Sequence, residues 1–552
     1  MLRAIVVATL ATANAASAAN AANGAPALAL APAVDLRAEG LHAPLGVDTP
    51  FLPPEAGGGG VLLSWVPAAA AAAAGGAARG LAATGFRVEV ARDAAFAAVV
   101  FDSGAVASNA SRVRVPATAL TESTLFFWRV AWRGCALAGD GGACAGDPEE
   151  APASAAATFG TGLSAATWAG SAAWLSCASV GACDYLRSPA FSLDAPPLRA
   201  TLHLATGGWV EAWVNGQRAG GDAALEGSWT QFTKRLPTTA YDVTALLAPG
   251  GANAFGLVLG NGWWGHLGHR ATAAALLSVE LAAGERLLIG TDAAAWRGSA
   301  GPVTGDDIYL GESYVLAQEI QGWSLGSFNL SGWDSTAEVP DPLLQEAARS
   351  WQAVQPVVAR RNATIAAVSL ARPSAAQFVV DFGVNSAGWT RLLLPGGCPA
   401  GAVIALRHAE VLFADGTVDQ GNLRSAKATD TVTCDGRAAP VVYEPRFTYH
   451  GFRFVGVEGW PSGGGGGFPA APTAANFVKI EVHNAVEHGG DATPSFIAFA
   501  PSAAASRALP IVHDIIRRGQ LSNLHGGVPT DCPQRDERQG WMVSWKWKSE
   551  GP

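Results

Sequence analysis

At 552 residues the chain exceeds what one hydrophobic core organises, and a prior of roughly 150 residues per domain gives three or four domains. The 49% hydrophobic content is inflated by alanine tracts such as 68–74, while 66 Gly and 33 Pro interrupt the chain and favour short strands and turns over long helices. A net charge of −9 with only 15% charged residues and no Lys/Arg run argues against a nucleic-acid partner. No stretch has the roughly 20 uninterrupted apolar residues of a membrane span.

Met1-Leu2-Arg3, a largely apolar stretch from Ala4 to Ala13 and small residues to Ala18 have the layout of a secretory signal peptide, assigned to residues 1–19, which makes the chain secreted or lumenal. Six of the seven Cys fall into local pairs, Cys135 with Cys144, Cys177 with Cys183 and Cys398 with Cys434, as expected of an oxidising compartment. Cys532 is left over. Sequons stand at Asn109, Asn329 and Asn362.

From 35 to 160, β-type runs at Val61–Trp65, Phe86–Val90, Val99–Phe101, Val113–Val115 and Phe126–Trp132 are spaced as in a fibronectin III or immunoglobulin-like sandwich. The loop Ala68–Gly80 between them is low in complexity and expected to be disordered. From 163 to 340, Leu202 and Leu204, then Val210, Ala212 and Val214, alternate into Asn215-Gly216, a strong hairpin signal. From 351 to 488, Phe452 and Phe454, and Val478, Ile480 and Val482 with Lys479 and Glu481 between them, alternate again and predict a further sandwich. Its Gly463–Gly467 run reads as a surface loop. The character then changes. Val512, Ile515 and Ile516, with Pro510 near the start and charges on other faces, form the chain's best helical pattern, in a segment 490–552. Nineteen Trp against six Tyr suit sandwich cores, with sugar-stacking platforms as the alternative use.

The densest polar cluster is Asp531-Cys532-Pro533-Gln534-Arg535-Asp536-Glu537-Arg538-Gln539-Gly540-Trp541, with three carboxylates, two guanidinium groups and an indole. Hydrolysis of a glycosidic bond requires one carboxyl group kept protonated as an acid and a second carboxylate that activates water or attacks carbon. Neighbouring carboxylates raise one another's pKa, whereas Arg535 and Arg538 hold a neighbour ionised, so the segment has the means to differentiate its acids. On composition alone, a solvated, salt-bridged loop explains the cluster better.

The same residues, Asp531 to Arg538 followed by Gly540-Trp541, resemble the signature of the bacterial-type α-L-rhamnosidases. Upstream motifs agree in order: Asp102-Ser103-Gly104, Trp128-Arg129-Val130, Tyr185-Leu186-Arg187, Asn215-Gly216, Tyr241-Asp242-Val243-Thr244, Gly260-Asn261-Gly262-Trp263 and Gly311-Glu312 resemble its N-terminal modules. Asp381-Phe382-Gly383-Val384-Asn385, Gly388-Trp389, Arg407-His408-Ala409-Glu410 and Phe447 to Arg453 resemble its concanavalin-like module. The resemblance spans roughly residues 35 to 541. It implies a mostly β chain of three consecutive β-sandwich modules (fibronectin III/Ig-like, rhamnosidase N-terminal and concanavalin-like), followed by the first helices of an incomplete (α/α)6 six-hairpin barrel. It further implies an inverting hydrolase that releases terminal α-L-rhamnose from glycosides or polysaccharides without metal or other cofactor. By matched position Glu537 is the general acid, Asp531 and Arg535 hold sugar hydroxyls, Trp541 lines the pocket, Asp536 supports, and Cys532 is a structural thiol.

The chain departs from the family after Trp541. Ser544 stands where a substrate-binding Asp is expected, and the Glu expected as general base a few hundred residues later is missing, so the truncated chain is expected to be inactive. Two of the five Lys are Lys546 and Lys548, a compositional break of the kind that reading through a splice donor at Val543-Ser544 would produce. The alternative function is a secreted, non-catalytic carbohydrate-binding protein built from the sandwiches. A third is an inverting hydrolase with the same barrel and another sugar.

Overall fold

In a computed structural model the described residues are 30–38, 59–69, 81–138, 143–144, 146–177, 185–227, 235–281, 284–339, 350–352, 359–461, 471–484, 503–525 and 530–538. The segment 1–19 expected to be a leader, most of the Ala68–Gly80 loop, Cys183, the Gly463–Gly467 run and Trp541 lie outside them. The chain divides into two compact units, residues 1–164 and 165–552.

In the first unit every expected run forms a strand, and two antiparallel sheets result. One orders Leu30–Ala38, Gly60–Ala69 and Arg112–Pro116; the other is built around Leu81–Ala91 and Leu125–Ala138. Phe126, Trp128, Val130 and Trp132 are fully buried at period two, while the residues between them are partly exposed. They pack with Val61, Leu63 and Trp65 in one core, and the Trp132 indole N–H donates to the Ala31 carbonyl at 2.8 Å. The large indole surfaces removed from water supply much of this small core's stabilisation. Cys135–Cys144 closes the second sheet's edge.

The second unit holds two large sheets. The first curls rather than forming two separate layers, because the short strand Leu175–Cys177 pairs with both Thr272–Leu281 and Asp334–Glu338. Its core contains Leu202, Leu204, Val210, Ala212 and Val214, as the alternation required. Asn215 and Gly216 take φ of 48° and 84°, the paired positive values of a tight hairpin, between Trp209–Val214 and Gln217–Arg218.

The second sheet is built around Gln377–Leu394 and His450–Glu458, with Ala359–Ala366, Val403–Ala409, Thr429–Thr433 and Phe477–Asn484. Val303–Asp307 and Gly311–Val315 leave the first sheet's stretch of sequence and join this one; Gly311–Val315 runs parallel to Thr429–Thr433. Cys398–Cys434 lies in its core.

Two sequence readings change here. Lys479 does not face solvent: it is fully buried, and its ammonium donates to the carbonyls of Val384, Ser386 and Phe452 at 3.1, 3.0 and 2.5 Å. A register shift in Gln377–Leu394 between Asp381 and Ser386 frees two of those carbonyls, so an irregularity that alternation cannot show creates a polar slot. Burial pushes the Lys479 ammonium down to about 7. Pro510 does not start the helix: the helix runs Ala503–Leu521, and the Ala-rich first turns extend it upstream despite the amide hydrogen bond that Pro510 cannot make. Ile511, Val512, Ile515 and Ile516 on this helix are exposed. Among the described residues no helix is long and apolar enough to cross a membrane.

One clasp between the sheets of the second unit involves two of the quoted motifs. The Asn261 backbone N–H and side-chain amide donate to the Asp306 carboxylate at 2.7 and 2.8 Å. Gly260 packs on Phe447 so closely that a Cβ would come within 2.2 Å of the ring, which is why this motif position holds glycine. Two motif groups far apart in sequence therefore meet, and the loop 531–538 sits on their junction.

Candidate functional site

The loop following the helix is anchored first by its backbone. Thr530 N–H donates to the Asn523 carbonyl at 2.8 Å and Gly451 N–H to the Pro533 carbonyl at 3.1 Å. Gly451 permits this approach, since a Cβ would meet Pro533 at 2.6 Å. His525, buried, stacks on Tyr449 at 4.2 Å and donates from Nε2 to the Val482 carbonyl at 2.7 Å. Burial drives this imidazole down to about 3, so it is a neutral spacer behind the loop.

Arg538 is the loop's floor. It has no exposed surface, and its guanidinium donates to the carbonyls of Ile308, Tyr449 (2.6 Å), Gln534 (3.2 Å) and Arg535 (3.2 Å). The rings of Tyr449 and Tyr309 lie 5.0 and 5.7 Å away, so the cation meets lone pairs and π faces on several sides. Tyr309 also donates its hydroxyl to the Glu537 carbonyl at 2.8 Å. The expectation that Arg538 holds a neighbouring acid ionised is corrected: its donors face backbone carbonyls of three segments, because a rigid planar fork can cross-link them as a carboxylate-paired group could not. Its own φ is +42°, an uncommon value for a side chain-bearing residue, held by those bonds.

On the outward side, Asp531, Arg535 and Glu537 are brought together. Arg535 Nη2 lies 2.8 Å from Glu537 Oε2 and 3.8 Å from Asp531 Oδ2, and its Nε donates to Cys532 Sγ at 3.1 Å. Asp531, Cys532 and Glu537 have ligand atoms within 4.8 Å of one another, yet this guanidinium already fills the place where a cation would bind. The two acids differ in setting: the Asp531 side chain is 9% exposed and that of Glu537 40%. Asp531 Oδ1 is buried with no hydrogen-bond partner among the described residues, leaving an acceptor for a ligand hydroxyl. Asp536 turns aside, accepting from the Ser425 hydroxyl at 2.5 Å and the Ser425 N–H at 3.2 Å, and these bonds hold it below the usual carboxylate range. Cys532 is buried and unpaired, and burial raises its thiol pKa, as suits a structural rather than nucleophilic sulfur.

Sequence reasoning missed a participant from outside the motif. Arg424 reaches over from the Gly421–Leu423 turn of the second sheet, 3.2 Å from Glu537 Oε2 and 3.6 Å from Asp536 Oδ1. Its backbone, at φ 59° and ψ −117°, is one that glycine adopts readily and arginine does not. No local pattern in 421–428 announces this; only the fold places Arg424 beside residues over a hundred positions later.

Family models match in chain order: the α-L-rhamnosidase N-terminal domain over 195–358, the bacterial α-L-rhamnosidase concanavalin-like domain over 371–482, and the six-hairpin glycosidase domain over 503–549. Together they account for more than half of the chain. The chain belongs to the bacterial α-L-rhamnosidase family. An α-L-rhamnosidase of Streptomyces avermitilis is 35% identical over 358 residues, 62% of this chain and 31% of its own length. One of an Alteromonas species is 30% identical over 374 residues, 65% of this chain and 37% of its own. The chain thus spans about a third of the length of these curated relatives. Among solved structures, the α-L-rhamnosidase from Dictyoglumus thermophilum superposes with a TM-score of 0.76 at 29% identity, covering 93% of this chain and 54% of that one. That from Aspergillus terreus gives 0.71 at 29%, covering 93% and 55%. The S. avermitilis enzyme, crystallised with L-rhamnose, shares the fold at 0.74 and 24% identity, covering 93% and 62%. The Asp531–Arg538 loop falls inside the six-hairpin match.

Proposed function

We propose that this chain carries the acid side of an inverting α-L-rhamnosidase site acting on terminal α-L-rhamnose of glycosides or polysaccharides. The observation that carries the reading is the pairing of a half-exposed Glu537 with a nearly enclosed Asp531 that keeps an unpartnered oxygen, both arranged around Arg535. Glu537 would protonate the leaving glycosidic oxygen. Asp531 Oδ1 would accept from one sugar hydroxyl and Arg535 donate to another, fixing the ring so that the departing oxygen meets the acid. Trp541 would form a wall of the pocket. Inversion also requires a carboxylate about 6.5–9.5 Å from the acid to activate water on the opposite face. The residues assigned here supply the acid half. Export through a leader at 1–19 belongs to the same reading and is supported by the two disulfides.

The assay is hydrolysis of an aryl α-L-rhamnoside by the chain and by its Glu537→Gln variant. The expected result is that Glu537→Gln removes about 100-fold or more of whatever turnover the parent shows. Turnover at ordinary enzymatic rates that this substitution leaves unchanged would overturn the assignment.

A further inference from the structure

Away from the loop, the two sheets of the second unit border a cleft of about 410 Å³, within the roughly 300–1,000 Å³ of small-ligand sites. Its lining contains three arginines, Arg218, Arg391 and Arg446, and three glutamates, Glu211, Glu319 and Glu444, together with Trp213 and Tyr314. None of these belongs to the loop 531–538 or to the residues that hold it.

The charges are prearranged. Arg446 donates to Glu211 at 3.0 Å, Arg391 to Glu444 at 2.6 Å, and Arg218 lies 3.3 Å from Glu211. The Arg446 guanidinium also sits 5.9 Å from the Trp213 ring. Trp213 Nε1 and Arg218 Nε are donors with no partner among the described residues.

These features select a ligand class. Three positive and three negative heads cancel, so neither an anion nor a cation gains from the field as a whole. A lining this rich in charge would penalise a lipid or other apolar molecule through desolvation. A pyranose fits both constraints: its vicinal hydroxyls donate to fixed carboxylate oxygens and accept from fixed guanidinium N–H groups, while its C–H face rests on an aromatic ring. Because each head is already held by its opposite, little ordering remains to be done on binding.

We infer that this cleft is a second carbohydrate site, taking one or two sugar residues of a glycan while the loop takes the terminal rhamnose. That the glycan contains rhamnose rests on the function proposed above; that the cleft takes a sugar does not.

The test is isothermal titration of the 552-residue chain with oligosaccharides of rhamnogalacturonan I, and with xylo-oligosaccharides as a second probe. Variants are Trp213→Ala and Glu444→Gln. The expected result is binding of the rhamnose-containing oligosaccharide by the parent chain. Glu444→Gln and Trp213→Ala should weaken it about tenfold or more, or roughly 1.4 kcal/mol, with Tm kept within about 2 °C. Glu444→Gln keeps the size of the side chain at a partly exposed position, so it carries the test if Trp213→Ala fails to fold. No binding of either probe, or binding that both cleft variants leave unchanged, overturns the inference. Binding of xylo-oligosaccharides alone, lost in the cleft variants, keeps the cleft as a sugar site and removes the rhamnoside reading of its ligand.

Discussion

The floor and the rim of the loop 531–538 use the same residue type to opposite ends. On the floor, Arg538 is wholly enclosed and spends its donors on backbone carbonyls. On the rim, Arg424 and Arg535 are 52% and 33% exposed at the side chain and face carboxylates. The difference teaches which interactions fix geometry and which are free to meet a ligand: a buried cation paired with the main chain cannot be spared, whereas an exposed ion pair contributes little to stability.

The largest effect expected from this contrast is on the floor. Arg538→Met leaves the carbonyls of Ile308, Tyr449, Gln534 and Arg535 facing an apolar chain, a loss of about 3–5 kcal/mol by the measure of broken buried polar networks. For a body of this size that is a fall in Tm of about 5 °C. Thermal melts of Arg538→Met and Arg535→Met side by side would show it. Equal, small shifts for the two would erase the distinction between floor and rim.

A second prediction concerns the junction beneath the floor. Glu312 is fully buried, with its carboxylate accepting from the N–H groups of Arg446 and Phe447 at 2.8 and 3.1 Å and lying 3.2 Å from the Tyr443 hydroxyl. Burial, reinforced by the nearby Asp430 and Asp306 carboxylates, pushes Glu312 up to about 8. A raised acid favours the folded state fully below its unfolded value, near 4.5, and that contribution is lost as pH rises through about 8. Stability should therefore decline across this window by up to about 1.4 kcal/mol per pH unit. Glu312→Gln imitates the protonated acid and should flatten the decline, with higher Tm than the parent at pH 8 and little difference at pH 5. His408 and His525, driven down to about 3 by burial, act with the opposite sign. Their contribution is present above the unfolded value of about 6.5 and is lost as pH falls toward 3, so an acid limb should persist in the variant.

The sequence carried the β content, the hairpin at Asn215-Gly216 and two disulfides because these rest on local rules: period-two burial, paired positive φ and short Cys spacing. It also singled out Asp531, Arg535 and Glu537, since a run of acids and guanidinium groups is legible by composition and by family resemblance. What it could not carry was long-range. Lys479 sits among apolar neighbours as a solvent-facing residue would, and only the irregular pairing of Gln377–Leu394 buries it. Likewise Arg538 reads as a second rim charge until Ile308 and Tyr449, each contributed by a different segment, close over it.

The smallest predicted effect isolates the strain on the rim. Arg424 holds φ 59° and ψ −117°, a conformation that costs a side chain-bearing residue about 1–3 kcal/mol, and its ion pairs with Asp536 and Glu537 are exposed enough to return about 1 kcal/mol at most. Arg424→Ala keeps the strain and loses the pairs; Arg424→Gly loses both, against about 0.5–1 kcal/mol of added chain entropy. The glycine variant should therefore be more stable than the alanine variant by about 1 kcal/mol and close to the parent, measured by denaturant unfolding followed through tryptophan fluorescence. That ordering would mean that stability alone does not account for an arginine at this position, leaving its reach to Glu537 as the remaining reason. Equal stability of the alanine and glycine variants would remove the strain from the account and leave Arg424 an ordinary surface charge.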